Sequence, residues 1–162
     1  MEFIIIIAGI LLDRITKIWA ASALLENGDI VIINGFFSLS YLENRGAAFG
    51  IFQNRVYLLA AVTVVVMLGM LYYILKHKPE SRLLRISFAM IISGGLGNLY
   101  DRIVYKYVVD FIMFHYRDVY YFPSFNVADM TLVAGTGLLI LYMIKEETKE
   151  GNDENDGRKD GV

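Results

Sequence analysis

Apolar residues run along this chain in four long blocks separated by shorter polar stretches, and the blocks are too long for strands. The clearest is Val56 to Leu75, twenty residues without a charge. At about 1.5 Å per residue a helix of that length spans about 30 Å, the thickness of a bilayer's hydrocarbon core. Ile86 to Tyr100 is also uncharged, and extends back through Leu83 and Leu84 across the single Arg85. Phe125 to Ile144 is apolar apart from Asn126, Asp129 and a few hydroxyls. The first block, Phe3 to about Leu25, is apolar except for a cluster at Asp13, Arg14, Thr16 and Lys17. The pattern predicts four transmembrane helices over about 3–25, 56–75, 83–100 and 125–144. Ala21-Ser22-Ala23 has the look of a leader cleavage site, but no basic segment precedes the apolar run and charges interrupt it, so a retained helix is expected.

Between the blocks the period changes. Asp29 to Asn34 and Phe36 to Leu42 read as two short β-rich runs around an Asn34-Gly35 turn. In the second, Phe37, Leu39 and Tyr41 alternate with Ser38 and Ser40, the pattern of a half-exposed strand. Residues 119–125 gather aromatic rings at a predicted membrane boundary. From Glu146 the chain is charged, glycine-dotted and without apolar residues until Val162, which predicts a disordered tail over 146–162 after a membrane domain of residues 1–145.

Composition agrees with the membrane reading. The chain has 162 residues, 56% hydrophobic and only 20% charged, where soluble domains are about 45–50% apolar and about 25% charged. Residues 1–144 carry 11 Lys/Arg against 10 Asp/Glu, and residues 145–162 carry 4 against 7. No basic face exists to hold a phosphate backbone, so nucleic acid is excluded as a partner. Without cysteine there is no disulfide, thiolate metal site or cysteine nucleophile. The connection between blocks two and three carries Lys76, Lys78 and Arg82, and Lys145 and Lys149 follow block four. Cytoplasmic loops carry the Lys/Arg excess, which predicts both termini inside and residues 26–55 and 101–124 outside.

Ionisable groups within spans cost about 2.5–3.5 kcal/mol on insertion scales and are functional candidates by default. Asp129 sits one turn into block four, where Ser124 is placed to cap the helix and Asn126 shares the aspartate's face. Asp110 interrupts the apolar stretch Val108 to Ile112 on the same predicted side of the membrane. Two carboxylates held close share a proton, so one can take a proton from water while the other donates to a carbonyl oxygen. The sequence allows that meeting without fixing its distance. Gly94, Gly95 and Gly97 suit close helix packing, and Asn98 and Arg102, four apart, can point into one pocket. Asn44-Arg45-Gly46-Ala47-Ala48-Phe49-Gly50 suits a tight turn or a backbone surface that meets an extended peptide. Asp13 and Lys17, also four apart, read as a structural ion pair.

Together these strings resemble the signal peptidase II (lipoprotein signal peptidase) family of bacterial membranes. They are Asp13-Arg-Ile-Thr-Lys17, Asn44-Arg-Gly-Ala-Ala-Phe49, Gly94-Gly-x-Gly-Asn98-x-x-Asp-Arg102, Val109-Asp110-Phe111 and Phe125-Asn126-x-Ala128-Asp129, in this order. The resemblance implies an α-helical integral membrane protein with four transmembrane helices, a small extracytoplasmic β-cradle and a short outer helix. It implies an aspartic endopeptidase that cuts prolipoproteins before a diacylglyceryl-modified cysteine, near the outer leaflet of the cytoplasmic membrane. Asp110 and Asp129 fall on the family's catalytic pair, and Asn44, Gly46, Asn98, Arg102 and Asn126 on its substrate pocket. Asp13 and Lys17 fall on its helix-one pair. The expected partners are lipid-modified prolipoproteins, membrane lipids and globomycin-type inhibitors, for a monomer that needs no metal or cofactor. Gly50 departs from the serine common in the family after that Ala-Ala-Phe string. Two other classes compete. A small proton-coupled transporter would place its carboxylates near the midplane within repeated halves. A non-enzymatic assembly subunit would explain the spans but not polar residues gathered on one side.

Overall fold

A computed structural model describes residues 1–47, 51–117 and 119–159. The elements follow in the order α1 (Glu2–Asn27), β1 (Ile30–Ile33), β2 (Phe37–Asn44), α2 (Val56–His77), α3 (Arg82–Val104), β3 (Val108–Tyr116), β4 (Tyr120–Tyr121) and α4 (Val127–Lys159). All four apolar blocks are helices. Three of them, α2, α3 and the part of α4 up to residue 149, are long and apolar enough to cross a membrane. α1 is equally long, but Asp13, Arg14 and Lys17 lie in its middle, so apolarity alone singles out three spans rather than four.

α3 is the hub of the bundle and packs against α1, α2 and α4. Its small residues make that possible. A Cβ on Gly97 would sit 2.6 Å from the Asp13 carboxylate of α1 and 3.2 Å from Ala128 Cβ of α4, and one on Gly94 would collide with the Ala128 carbonyl. The outward faces of α1, α2 and α4 leave large side chains such as Leu11, Ile15, Leu68, Tyr72, Val133 and Leu141 exposed. In water that would be costly; against lipid it is the lower-energy arrangement, since the backbone groups along a helix interior are bonded within the helix.

The strands form one antiparallel sheet in the order β1-β2-β3-β4 at one end of the bundle. The expected hairpin is present: Phe36 N–H donates to Ile33 O at 3.0 Å and Gly35 supplies the φ of +71° that closes the turn. Ala20 and Leu24 of α1 and Phe111 of β3 bury together, with Leu39, Tyr41, Ile112 and Val127 packed against them. That cluster ties sheet to bundle.

Four sequence expectations change here. Ser38 is buried rather than half-exposed, because the imidazole Nε2 of His115 on β3 comes within 3.0 Å of its hydroxyl. The apolar stretch Val108 to Ile112 is the first part of the longest strand among the described residues, Val108–Tyr116. No short outer helix occurs among the described residues. Residues 51–54 are turns, with Phe52 and Asn54 at φ of 55° and 61°, which a right-handed helix excludes. Residues 48–50 of the Asn44–Gly50 string lie outside the described residues. Finally, α4 continues to Lys159 through the segment expected to be disordered. Once the apolar part has nucleated the helix, each further residue adds a hydrogen bond; the Lys and Glu residues over 145–150 have good helix propensity, whereas Gly151, Asn152, Asp153, Asn155, Asp156 and Gly157 do not.

Candidate active site

The sheet brings Asp110 and Asp129 to one place. On β3 the run from Val108 to Phe111 is buried, and Asp110 is only 1% exposed. Phe125, just ahead of α4, pairs with Ile112 of the same strand: its N–H donates to Ile112 O at 3.1 Å and its carbonyl accepts from Ile112 N at 2.9 Å. That pairing sets the first turn of α4 beside Asp110. Asn126 bridges the two carboxyls. Its Nδ2 donates to Asp110 Oδ1 at 2.7 Å and its backbone N–H donates to Asp129 Oδ2 at 3.1 Å.

Asn126 is also the cap of α4. Its Oδ1 accepts from Asp129 N at 3.0 Å while the Asp129 carboxyl takes the Asn126 N–H, a reciprocal capping box. Ser124 was expected in that role. The pairing of Phe125 with β3 keeps the chain extended for two residues more and moves the helix start to Val127. Ala128 N–H, another free donor of the first turn, donates to Asp13 Oδ1 at 2.9 Å. Two carboxyl groups thus lie at the positive end of α4, where the helix dipole favours them.

The remaining predicted site residues converge on the same point. Asn44, at the end of β2, donates from Nδ2 to Asp110 Oδ2 at 2.9 Å, and its Oδ1 accepts from Gly46 N at 2.9 Å. Asn98 on α3 donates from Nδ2 to Asp129 Oδ1 at 2.7 Å, and its Oδ1 accepts from Asn126 Nδ2 at 3.2 Å. The Arg102 guanidinium reaches two backbone carbonyls, Gly46 O at 3.3 Å and Asn98 O at 3.5 Å, so it pins the Gly46 turn over the end of α3.

Asp13 and Lys17 pair as expected, at 2.9 Å, but not by themselves. Lys17 also meets Asp101 Oδ2 at 2.8 Å and donates to Asn98 Oδ1 at 3.0 Å, so all three ammonium protons are used. Asp101 takes Arg14 at 3.0 Å and the Val109 N–H at 3.4 Å. Sequence reasoning missed Asp101. The available signal was its spacing: three residues after Asn98, it shares that residue's helix face. Asp13, Lys17, Asp101 and Arg14 sum to zero charge, which is what makes burial of the first three tolerable. A cavity of about 290 Å³ opens beside Arg14, Lys17, Tyr41, Tyr105 and Tyr107, and neither Asp110 nor Asp129 lines it.

Burial pushes the Asp110 carboxyl up to about 7, and the charge of Asp129 adds to the rise; the amide donors of Asn44 and Asn126 oppose it. Near neutral pH one acidic proton is therefore available beside a second carboxyl, the condition for acid and base work by one pair.

Comparison with known proteins places the chain in context. A sequence profile described as signal peptidase (SPase) II matches residues 5–145. The lipoprotein signal peptidase of Clostridium novyi is 57% identical over 146 residues, covering 90% of this chain and 99% of that protein. That of Clostridium tetani is 55% identical over 150 residues, covering 93% and 96%. A bacterial membrane enzyme solved by the in meso method superposes with a TM-score of 0.83 at 26% identity, covering 91% of this chain and 90% of the other.

Proposed function

Because this chain belongs to the signal peptidase II family, we propose that it works as an aspartic endopeptidase whose reacting groups are Asp110 and Asp129. It is a protease of a multi-pass bacterial membrane protein family, and the reaction it performs is removal of the signal peptide from prolipoproteins. The cut falls before the diacylglyceryl-modified cysteine. The observation that carries the aspartic reading is Asn126, which donates to both carboxyls at once and so holds them beside each other.

The chemistry follows from the shared proton. The ionised carboxyl accepts a proton as water adds to the scissile carbonyl, and the protonated one donates to the carbonyl oxygen. The resulting gem-diol collapses as a carboxyl returns a proton to the leaving amide nitrogen and the C–N bond breaks. No covalent enzyme intermediate forms. Asn44, Gly46, Asn98, Arg102 and Asn126 line the pocket that receives the extended peptide, and globomycin-type inhibitors compete for it. Every one of these groups comes from one chain, which supports action as a monomer. Lys76, Lys78 and Arg82 lie at the bundle end opposite the sheet, which supports a cytoplasmic 2–3 loop, α1 as a fourth span and a site near the outer leaflet. Asp110, Asp129, Asn44 and Arg102 lie where the sheet meets the bundle rather than at its middle, unlike a transporter's midplane site.

The test is product mapping. Purified chain in lipid should cut a diacylglyceryl-modified prolipoprotein to leave the lipidated cysteine as the new N-terminus, read by mass spectrometry. Equal cleavage of the unlipidated precursor, or a cut elsewhere, would overturn the substrate assignment.

A further inference from the structure

The amide groups around the aspartate pair have a fixed direction, and that direction is set from outside the pair. An asparagine side chain can turn its carbonyl or its NH₂ toward a carboxyl, and the two orientations favour opposite protonation states. Here each orientation is decided by a neighbour that can only donate. The Gly46 N–H occupies Asn44 Oδ1, the Asp129 N–H occupies Asn126 Oδ1, and the Lys17 ammonium at 3.0 Å, together with Asn126 Nδ2 at 3.2 Å, occupies Asn98 Oδ1. The three NH₂ groups are thereby aimed at Asp110, Asp110 and Asp129 respectively. Two of the four fixing donors are backbone groups that no side-chain change removes, and Asn126 Nδ2 is shared with Asp110 Oδ1 at the shorter 2.7 Å. The shorter and charged donor on Asn98 is Lys17, 1% exposed and with its other two protons on Asp13 and Asp101.

We propose that Lys17 is a positioning residue for cleavage: by holding Asn98 with its NH₂ toward Asp129, it surrounds the aspartate pair with donors alone. A proton on the pair then finds no acceptor among the amides and points into the space where water and the scissile carbonyl meet. Were Asn98 to turn, its carbonyl would accept that proton and withdraw it from the reaction. The inference rests on Asp110 and Asp129 being the reacting pair.

A structural role for Lys17 makes a different prediction, and a charge-balanced variant separates the two. Asp13→Asn with Lys17→Met removes one charge of each sign, leaves the Asp101–Arg14 pair intact and keeps an oxygen at position 13 for the Ala128 N–H. If Lys17 only balances charge, this double variant regains the wild-type kcat. If Lys17 positions Asn98, kcat stays down by about tenfold or more, a part of the 10²–10⁴ that general acid–base catalysis supplies, while KM for a lipid-modified peptide is unchanged. Wild-type kcat in the folded double variant overturns the proposal. Should that variant not accumulate folded, Asn98→Asp carries the test. It keeps an acceptor for Lys17 but offers Asp129 no donor, so kcat falls by a similar factor, and full activity overturns the proposal. Asp110→Asn is measured alongside. Cleavage surviving in that variant refutes the aspartate pair itself, not the positioning role.

Discussion

Asp110 concentrates the residue-scale physics. A carboxyl at about 7, well above the ordinary value of about 4, binds its proton more tightly in the folded chain than in the unfolded one. Its contribution to stability is therefore complete below about pH 4 and is lost as pH rises through about 7. Between pH 5 and pH 8 the thermal midpoint of the wild type should fall relative to that of Asp110→Asn, whose amide does not titrate. Cleavage should decline above about pH 7 by about tenfold per pH unit as the pair loses its last proton. Parallel midpoints and a flat activity profile would contradict the assigned environment. Asp110 and Asp129 were legible in the sequence because a charge in an apolar run has to be explained. Asp101 was not, since in sequence it stands beside Arg102 as an ordinary helix-end pair. Only the meeting of α1 with α3 turns it into the partner of Lys17 and Arg14.

At the scale of elements, the apolar runs place α1, α2 and α3 and the start of α4 within a few residues, because length and apolarity are local properties. The Asn34-Gly35 turn gave the first hairpin for the same reason. The far end of α4, in a polar segment, lies fifteen residues beyond the expected one. β3 is not legible there, since a short apolar run does not declare its partner, and Val108–Tyr116 becomes a strand by pairing with β2, 64 to 77 positions earlier. The start of α4 moved from Ser124 to Asn126 through another distant pairing, that of Phe125 with Ile112. Helix packing permits a paired test. Gly97→Ala puts a methyl against Asp13 and Ala128 and should cost about 1–3 kcal/mol, the usual range for overpacking. Gly69→Ala on α2 meets nothing within 4 Å and should be neutral or stabilising by up to about 1 kcal/mol, the difference in helix propensity. Detergent thermal midpoints of the two variants should move apart. Equal midpoints would mean that the α1–α3–α4 contact is looser than described.

In the whole molecule a bundle with apolar outer faces meets a sheet that closes one end of it, with the aspartate pair at the junction. The chain has no cysteine, so single cysteines report topology without background. One replacing Asn34, in the β1–β2 turn, should react with an impermeant thiol reagent on intact cells, and one replacing Glu80, between α2 and α3, should not. The reverse pattern would invert the molecule in the membrane. The most direct test of the central claim is the rate of cleavage of one lipid-modified peptide by Asp110→Asn, Asp129→Asn and the double variant, each shown to be folded and membrane-inserted. Each single change should lower kcat by about 1000-fold or more, and the double should be hardly worse than either, since groups that act as a unit are lost together. Near-wild-type cleavage by either folded single variant would contradict it.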